Sequence, residues 1–391
     1  MSWFGFGFNG FGQICSPKSG DPILSNEDVE IKVVVPVRLR DYGPDRERRC
    51  HISASWSQRA FLQLEGDRHV CIGCSRADPP SQTACACVPQ SHGCQDALVS
   101  ERYLTLAFTD KIECWGFDAT DSTPVWKMER MGLETAEIPA PLPLVLGGYV
   151  VSTLPFFQPL SPHLCAVSLA LGMEHAVLLT ASGTVYTWGS NSHGQLGHGE
   201  LSWEEEPRPV EALWGMAMGG VAAGGWHSIC ISGGGDLYTW GWNESGQLGL
   251  PSRSVRGDRL CRTAAVQEVG RQKEEEGPDS SEVFISIQAF PALLDLPQEV
   301  EVTKVSCGSR HTAAITSAGD LYTWGWGEYG QLGQVTTSSS DQPVQVGFFA
   351  DHGMHVVDVV CGPWNTFVCA VENKFPLPET NPPTSAGLLN Q

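Results

Sequence analysis

Apolar and small residues fill every position of three short runs, A-V-L-L-T at 176–180, S-I-C-I-S at 228–232 and T-A-A-I-T at 312–316. A run without polar alternation that soon meets a turn glycine, here Gly183, Gly235 and Gly319, reads as a strand covered on both faces. The return run is V-Y-T-W at 185–188 and L-Y-T-W at 237–240 and 321–324, with the aromatic and β-branched content that strands favour. Behind it stand G-S-N-S-H-G-Q-L-G, G-W-N-E-S-G-Q-L-G and G-W-G-E-Y-G-Q-L-G, rich in residues that accept positive φ in a tight turn. One such hairpin cannot bury both its faces. Several copies side by side can, and a four-stranded unit of about 40 to 50 residues is the size of a propeller blade.

A fourth copy starts at Cys361 and Gly362 and runs through T-F-V-C-A-V without the return half. That half lies near the other terminus: W-F-G-F-G-F-N-G-F-G-Q at 3–13 aligns with 237–247, placing Phe6 at the Trp240 position, Asn9 at Asn243 and Gln13 at Gln247. One blade is therefore expected to draw strands from both termini, closing the ring and removing open sheet edges. Two worn copies precede the clear ones. Residues 52–62 match the first strand with Ser57 in the histidine place, and 101–116 align without gaps to 174–189, with Arg102 in the histidine place and Trp115 at Trp188. The pattern predicts an all-β, closed β-propeller with six recognisable blades; 118–164 shows no repeat signature beyond strand-like runs near 145–154 and leaves open whether a further, diverged blade lies there.

The full motif, G-x-x-H-x-x-x-L-x-x-x-G-x-V-Y-x-W-G-x-N-x-x-G-Q-L-G, resembles the repeat of the regulator-of-chromosome-condensation family, from about residue 165 to 371 and again at the N-terminus. The resemblance implies seven blades and a non-catalytic platform for protein partners. A small member of that family further implies a JmjC-type oxygenase acting as histone demethylase as the partner, with histones beside it, and a role in histone methylation control and chromosome segregation in the nucleus or also the cytosol. The founding member implies an alternative, guanine-nucleotide exchange on a small nuclear GTPase; its acidic and wedge residues have no counterpart that can be placed here.

Charge narrows the partner class. With 24 basic and 44 acidic residues the formal charge is −20, which disfavours unassisted contact with nucleic acid or an anionic membrane and favours basic partners. The 14 cysteines include Cys230, Cys307, Cys361 and Cys369 on expected strands, and read as small core residues in a reducing compartment. No charged leader precedes an apolar core at the N-terminus, and the most apolar window, 139–157, is too broken by proline and glycine to span a bilayer as a helix. The expected organisation is a monomeric propeller over 1–373, with loop insertions at about 75–98 and 251–282 and a disordered tail at 374–391. No cofactor is expected.

Two groups invite a metal or catalytic reading. Cys71, Cys74, Cys85 and Cys87, with His92 and Cys94 following, offer soft ligands in pairs close enough to share a zinc ion. The spacing of the second pair and the strand position of the first favour a structural role instead. His175, His227 and His311 recur at one repeat position in different blades, so they read as buried imidazoles hydrogen-bonded to backbone rather than as a catalytic set. The residue just before that position lies on one rim of the ring. Its occupants are Trp56, Glu101, Glu174, Trp226, Arg310 and Trp364, and aromatics with arginine are anchor-type side chains. A partner-binding site is expected with Trp226, Arg310 and Trp364 at its core and Trp56 and Glu174 at its margin. A family member that senses ultraviolet-B light self-associates through G-W-R-H-T on this face; G-S-R-H-T at 308–312 keeps that frame with serine for tryptophan, and light sensing is not implied.

Overall fold

Seven sheets arranged as blades follow one another in the computed structural model, which describes residues 1–14, 31–39, 50–73, 85–118, 123–129, 141–257 and 283–372. Strands β1 (Ser2–Phe8) and β2 (Lys32–Arg38) belong to the last blade. The first blade is β3 (Cys50–Ala54), β4 (Arg59–Gln63), β5 (Val70–Gly73) and β6 (Cys85–Cys87), and the second is β7 (Asp96–Val99), β8 (Tyr103–Ala107), β9 (Lys111–Gly116) and β10 (Trp126–Glu129). The third has three short strands among the described residues, β11 (Leu144–Val145), β12 (Gly148–Val150) and β13 (Phe157–Pro159). It answers the question left open for 118–164, where no repeat signature stands out in the sequence. The clear repeats give the fourth blade, β14 (Ala166–Leu171), β15 (His175–Thr180), β16 (Val185–Gly189) and β17 (Glu204–Pro209), and the fifth, β18 (Met218–Ala223), β19 (His227–Ser232), β20 (Leu237–Trp242) and β21 (Ile287–Leu294). The sixth is β22 (Val302–Cys307), β23 (His311–Thr316), β24 (Leu321–Gly325) and β25 (Ser340–Gln345).

The seventh blade is completed from both termini, in the order β2, β1, β27 (Asn365–Glu372), β26 (Met354–Cys361). Phe6 pairs with Thr366 as Trp240 pairs with Ser228, so the alignment of the N-terminal residues with the repeat holds in register. Apolar clusters sit between blades rather than within them. Val177, Leu179 and Val185 of the fourth blade pack with Met218, Cys230 and Trp240 of the fifth, and Ile229, Ile231 and Leu237 of the fifth with Val302, Val305 and Trp324 of the sixth. At the closure Ile315 of the sixth blade, Phe4, Phe6 and Phe367 of the seventh and Ile52 and Phe61 of the first share one cluster. Because each second strand has a neighbouring blade on both faces, β15 and β23 are buried at all six positions, which is why their sequences lack polar alternation.

Of the loop expected at about 75–98, the described part from 85 onward carries structure: Cys85–Cys87 is the outermost strand of the first blade and Asp96–Val99 opens the second. Most of the insertion at 251–282, the tail at 374–391 and Cys74 lie outside the described residues. Both worn repeats also shift by one place. In the clear copies the N–H of Gly172 donates to the carbonyl of His175; the same bond runs from Ser55 to Gln58 and from Ser100 to Tyr103, so Gln58 and Tyr103 hold the histidine place, not Ser57 and Arg102. In the second blade the cause is a hairpin turn one residue shorter than that of the fourth.

Removing residues 1–13 should strip β1 from between β27 and β2, leaving a buried strand with an open edge. The truncated protein is expected to aggregate or to melt roughly 10 °C or more below the full chain; an unchanged melting curve would show that β1 is dispensable for closure.

Candidate protein-interaction face

Three buried histidines fix the start of the second strand in blades four, five and six. Their Nε2 atoms lie 2.9 Å from Ser228 Oγ, 3.0 Å from Thr312 Oγ1 and 3.0 Å from Thr366 Oγ1, each hydroxyl belonging to the following blade. Those hydroxyls donate in turn to the backbone carbonyls of Gln195, Gln247 and Gln331. A hydroxyl that gives its hydrogen to a carbonyl must accept from the imidazole, so each histidine carries its proton on Nε2. The partner of Nε2 is thus a side chain of the next blade, and the backbone of that blade, at His227 for His175 and at Asn365 for His311, also bonds to the ring. Burial holds His175 down to about 4, and burial, then the neighbouring histidines, hold His227 down to about 3. Burial likewise lowers His311 to about 3. Each imidazole is a neutral linker, unsuited to proton transfer near pH 7. The glycine three residues earlier makes room for it: a Cβ on Gly224 would stand 2.0 Å from His227 Cε1.

The residue before the histidine is pinned by a second bond. The N–H groups of Ser190, Trp242, Trp326 and Phe8 donate to the carbonyls of Glu174, Trp226, Arg310 and Trp364 at 2.8 to 2.9 Å. The preceding glycine allows it; Gly241 has φ +110° and a Cβ there would lie 2.5 Å from the Trp226 oxygen. Two side chains per blade are thereby set next to each other on one rim. Trp226 meets Trp242 edge-on at 5.7 Å, Trp364 meets Phe8 at 5.7 Å, and the Arg310 guanidinium lies 5.9 Å from Trp326.

Neighbouring blades join these pairs into one arc. Arg310 lies 4.6 Å over the Trp242 ring of the fifth blade, Trp326 of the sixth meets Trp364 of the seventh at 5.7 Å, and Tyr329 stacks on Trp364 at 5.3 Å. Trp56 of the first blade packs 5.0 Å from Trp364, with Phe11 at 6.1 Å, and His193 of the fourth blade borders Trp226 and Trp242 at the other end. The structure therefore brings Trp226, Arg310, Trp364 and Trp56 onto one surface. Trp226 and Arg310 are linked through Trp242, and Arg310 and Trp364 through Trp326. Trp56 and Phe11 are each 42% exposed, and the other aromatic rings named are partly so.

Glu174 stands exposed on the same rim, one blade beyond Trp226; its neighbour across the turn is Ser190, so the arc does not continue there. Trp56 and Glu101 prove to lie two residues before the histidine place. Glu101 accepts from the Trp56 N–H and from Ser57 Oγ, both at 2.5 Å, clamping the first blade to the second. Equivalent backbone bonds run from Met173 to Gly225, Gly225 to Ser309 and Ser309 to Pro363. Sequence reading missed Trp242, Trp326, Tyr329, Phe8, Phe11 and His193. The signal was present as an aromatic directly after the Y-T-W-G glycine in two copies and after Gly7.

Of the thiols considered for zinc, Cys71 and Cys87 face each other across β5 and β6, and Cys94 is fully buried in the apolar cluster between the first two blades. Among the described residues no helix is long and apolar enough to cross a membrane.

The family described as Regulator of chromosome condensation (RCC1) repeat matches residues 182–231, 234–315 and 318–369. RCC1 domain-containing protein 1 of Homo sapiens is 42% identical over 95% of this chain and 97% of its own length, and its Mus musculus counterpart is 39% identical over the same shares. The Ultraviolet-B receptor UVR8 of Arabidopsis thaliana is 33% identical over 52% of this chain and 50% of its own. Prp20p from Saccharomyces cerevisiae, whose structure was described with its binding to Gsp1p and histones, superimposes with TM-score 0.69 at 17% identity, covering 95% of this chain and 92% of that one. That likeness shows the fold.

Two outcomes follow from the histidine bonds. Thr312→Val keeps the shape but leaves the His227 N–H without an acceptor where both residues have no exposure; it should lower stability by about 1 to 3 kcal/mol in denaturant melts. As pH falls through about 6.5 the unfolded chain takes up protons that the folded imidazoles refuse. Stability is therefore intact above that pH and lost below it, on the order of 2 kcal/mol per histidine by about pH 5, which thermal melts across that window would register.

Proposed function

Because this chain belongs to the regulator of chromosome condensation (RCC1) repeat family, we propose that it is a non-catalytic scaffold that binds a protein partner through the aromatic and arginine arc. The observation that carries this reading is the arc itself: Trp226, Trp242, Arg310, Trp326, Trp364 and Trp56 touch in sequence over four blades while remaining partly open to solvent. Large flat side chains packed against one another lose little entropy on binding, and Arg310, between the Trp242 and Trp326 rings, adds a cationic anchor. The three repeated histidines do not offer a reaction centre, being neutral and fully enclosed between blades.

The partner we propose is a JmjC-type oxygenase acting on histones, with the complex working at chromatin in the nucleus in histone methylation control and chromosome segregation. Resemblance to the small RCC1 domain-containing proteins supports this choice. The formal charge of −20 suits a partner with a basic rim, or histones held beside it. The insertion at 251–282 is the alternative surface. Among its described residues Arg256 reaches the buried carboxylate of Asp341 at 3.5 Å and Ser252 N–H donates to the same carboxylate at 3.0 Å, so its first turn is anchored to the sixth blade.

Capture from nuclear extract by the tagged full chain should recover a JmjC-type oxygenase, and Arg310→Ala should weaken that capture by roughly 30-fold or more, the scale of a true anchor, with its melting temperature unchanged. If Trp226→Ala, Arg310→Ala and Trp364→Ala all fold and retain wild-type capture, the arc is not the interface and the insertion becomes the site. Nucleotide release from a small nuclear GTPase should be unaffected by the purified protein; clear acceleration would favour an exchange factor instead.

A further inference from the structure

The outer edge of the first blade carries a cluster that the aromatic arc does not use. His69 and Cys71 are two residues apart on one extended segment and so project to the same face, while Val70 between them is fully buried on the other. Cys87 is the cross-strand partner of Cys71 in the β5 and β6 pairing. One ligating atom from each of the three residues falls within 4.8 Å of the other two. Neither cysteine is in a disulfide.

We propose that His69, Cys71 and Cys87 form a binding site for a thiophilic divalent cation, zinc in the cell. Two thiolates and an imidazole are the donor set that zinc takes, and around a tetrahedral ion such atoms stand roughly 3.5 to 4 Å apart. Small side-chain rotations on an unmoved pair of strands would close the remaining gap. The same donors are poor ligands for calcium or magnesium, which take oxygen.

The surroundings orient the donors. His69 Nδ1 is 2.7 Å from the Asp67 carbonyl; a carbonyl can only accept, so Nδ1 carries the hydrogen and Nε2 is left with its lone pair for a metal. This backbone-held tautomer is what metal-ligating histidines use. His92 stacks on His69 at 5.6 Å and places its own Nδ1 3.0 Å from the Asp67 carboxylate, so a further nitrogen and a carboxylate border the side from which a fourth ligand or water would come. On the inner side Cys71 packs against the cluster that holds Ile52 and Phe61, and Cys87 opens to solvent, giving an entry path. Thiols bind a metal as thiolates, so binding should release protons.

The test uses the full-length reduced chain and cobalt(II) as probe. Expected is one equivalent of cobalt with a thiolate-to-metal charge-transfer band that zinc abolishes, proton release on zinc addition, and a melting temperature raised by zinc and lowered again by chelator. Cys87→Ser, on the exposed outer strand, and Cys71→Ser should each reduce affinity by about tenfold or more, with His92→Ala losing less. Cys165→Ser, an exposed cysteine elsewhere, should change nothing. No charge-transfer band with the wild-type protein overturns the proposal. So does a band that survives the Cys71→Ser and Cys87→Ser double variant in a protein that still melts cooperatively, or recovery of a Cys71 to Cys87 disulfide in place of metal uptake.

Discussion

From the fourth blade to the seventh, the rim rests on a hydrogen bond that crosses from one blade to the next. An imidazole N–H in one blade meets a serine or threonine hydroxyl in the following blade, and that hydroxyl returns to a glutamine carbonyl in the first. The same carbonyl takes a second donor, since Trp240 Nε1 reaches Gln195 and Trp324 Nε1 reaches Gln247, at 2.9 and 3.0 Å. Each bond adds only about 1 kcal/mol net, but loss of any member leaves a buried polar group unsatisfied at greater cost. Neutrality is essential to the arrangement: a charged imidazole at zero exposure would have no counter-ion, and burial keeps the proton off.

The closure between the seventh and first blades uses different parts for the same space. Asn365 stands in the histidine place, Arg59 in the hydroxyl place and Gly73 in the tryptophan place. A Cβ on Gly73 would be 2.6 Å from Arg59 Nη2, so the absent side chain is what lets the guanidinium lie where other blades hold an indole. Arg59 then spans the joint with its face 4.4 Å from Phe61 of the first blade and 5.7 Å from Phe367 of the seventh. Cation–π contact and aromatic packing stand here in place of the indole N–H bond that Trp240 and Trp324 make.

Periodicity made the ring legible before any coordinates, because a strand buried on both faces must drop its polar alternation, as 176–180 and 312–316 do. The terminal closure was legible through Phe6, which keeps the aromatic character of Trp240 at the same register. Other features stayed hidden for physical reasons. The third blade's strands of two and three residues are too short to carry a pattern. Ser228, Thr312 and Thr366 looked like small fillers because the donor they serve is more than fifty positions away in sequence. Cys71 and Cys87 are both legible as candidate ligands, but spacing along the chain groups Cys71 with Cys74 and Cys85 with Cys87, whereas sheet register pairs Cys71 with Cys87 across it. His69 completes that group only because alternate residues share a face.

The rim separates what must be kept from what is open to change. At the position before each histidine the carbonyl oxygen is structural, accepting the same N–H in four blades whether the residue is Glu174, Trp226, Arg310 or Trp364. The side chain takes no part in that bond. Blades can therefore exchange glutamate, tryptophan and arginine at this place without touching the histidine relay beneath, and the surface chemistry of the ring becomes a matter of which side chains occupy fixed sockets. In this chain the aromatic and cationic occupants on blades five, six and seven touch one another, Trp56 of the first blade joins them from one residue earlier, and the fourth and second blades carry Glu174 and Arg102 at this place. The contact between neighbouring rim side chains on blades five to seven is therefore a property of their identities, which the shared backbone bond does not impose.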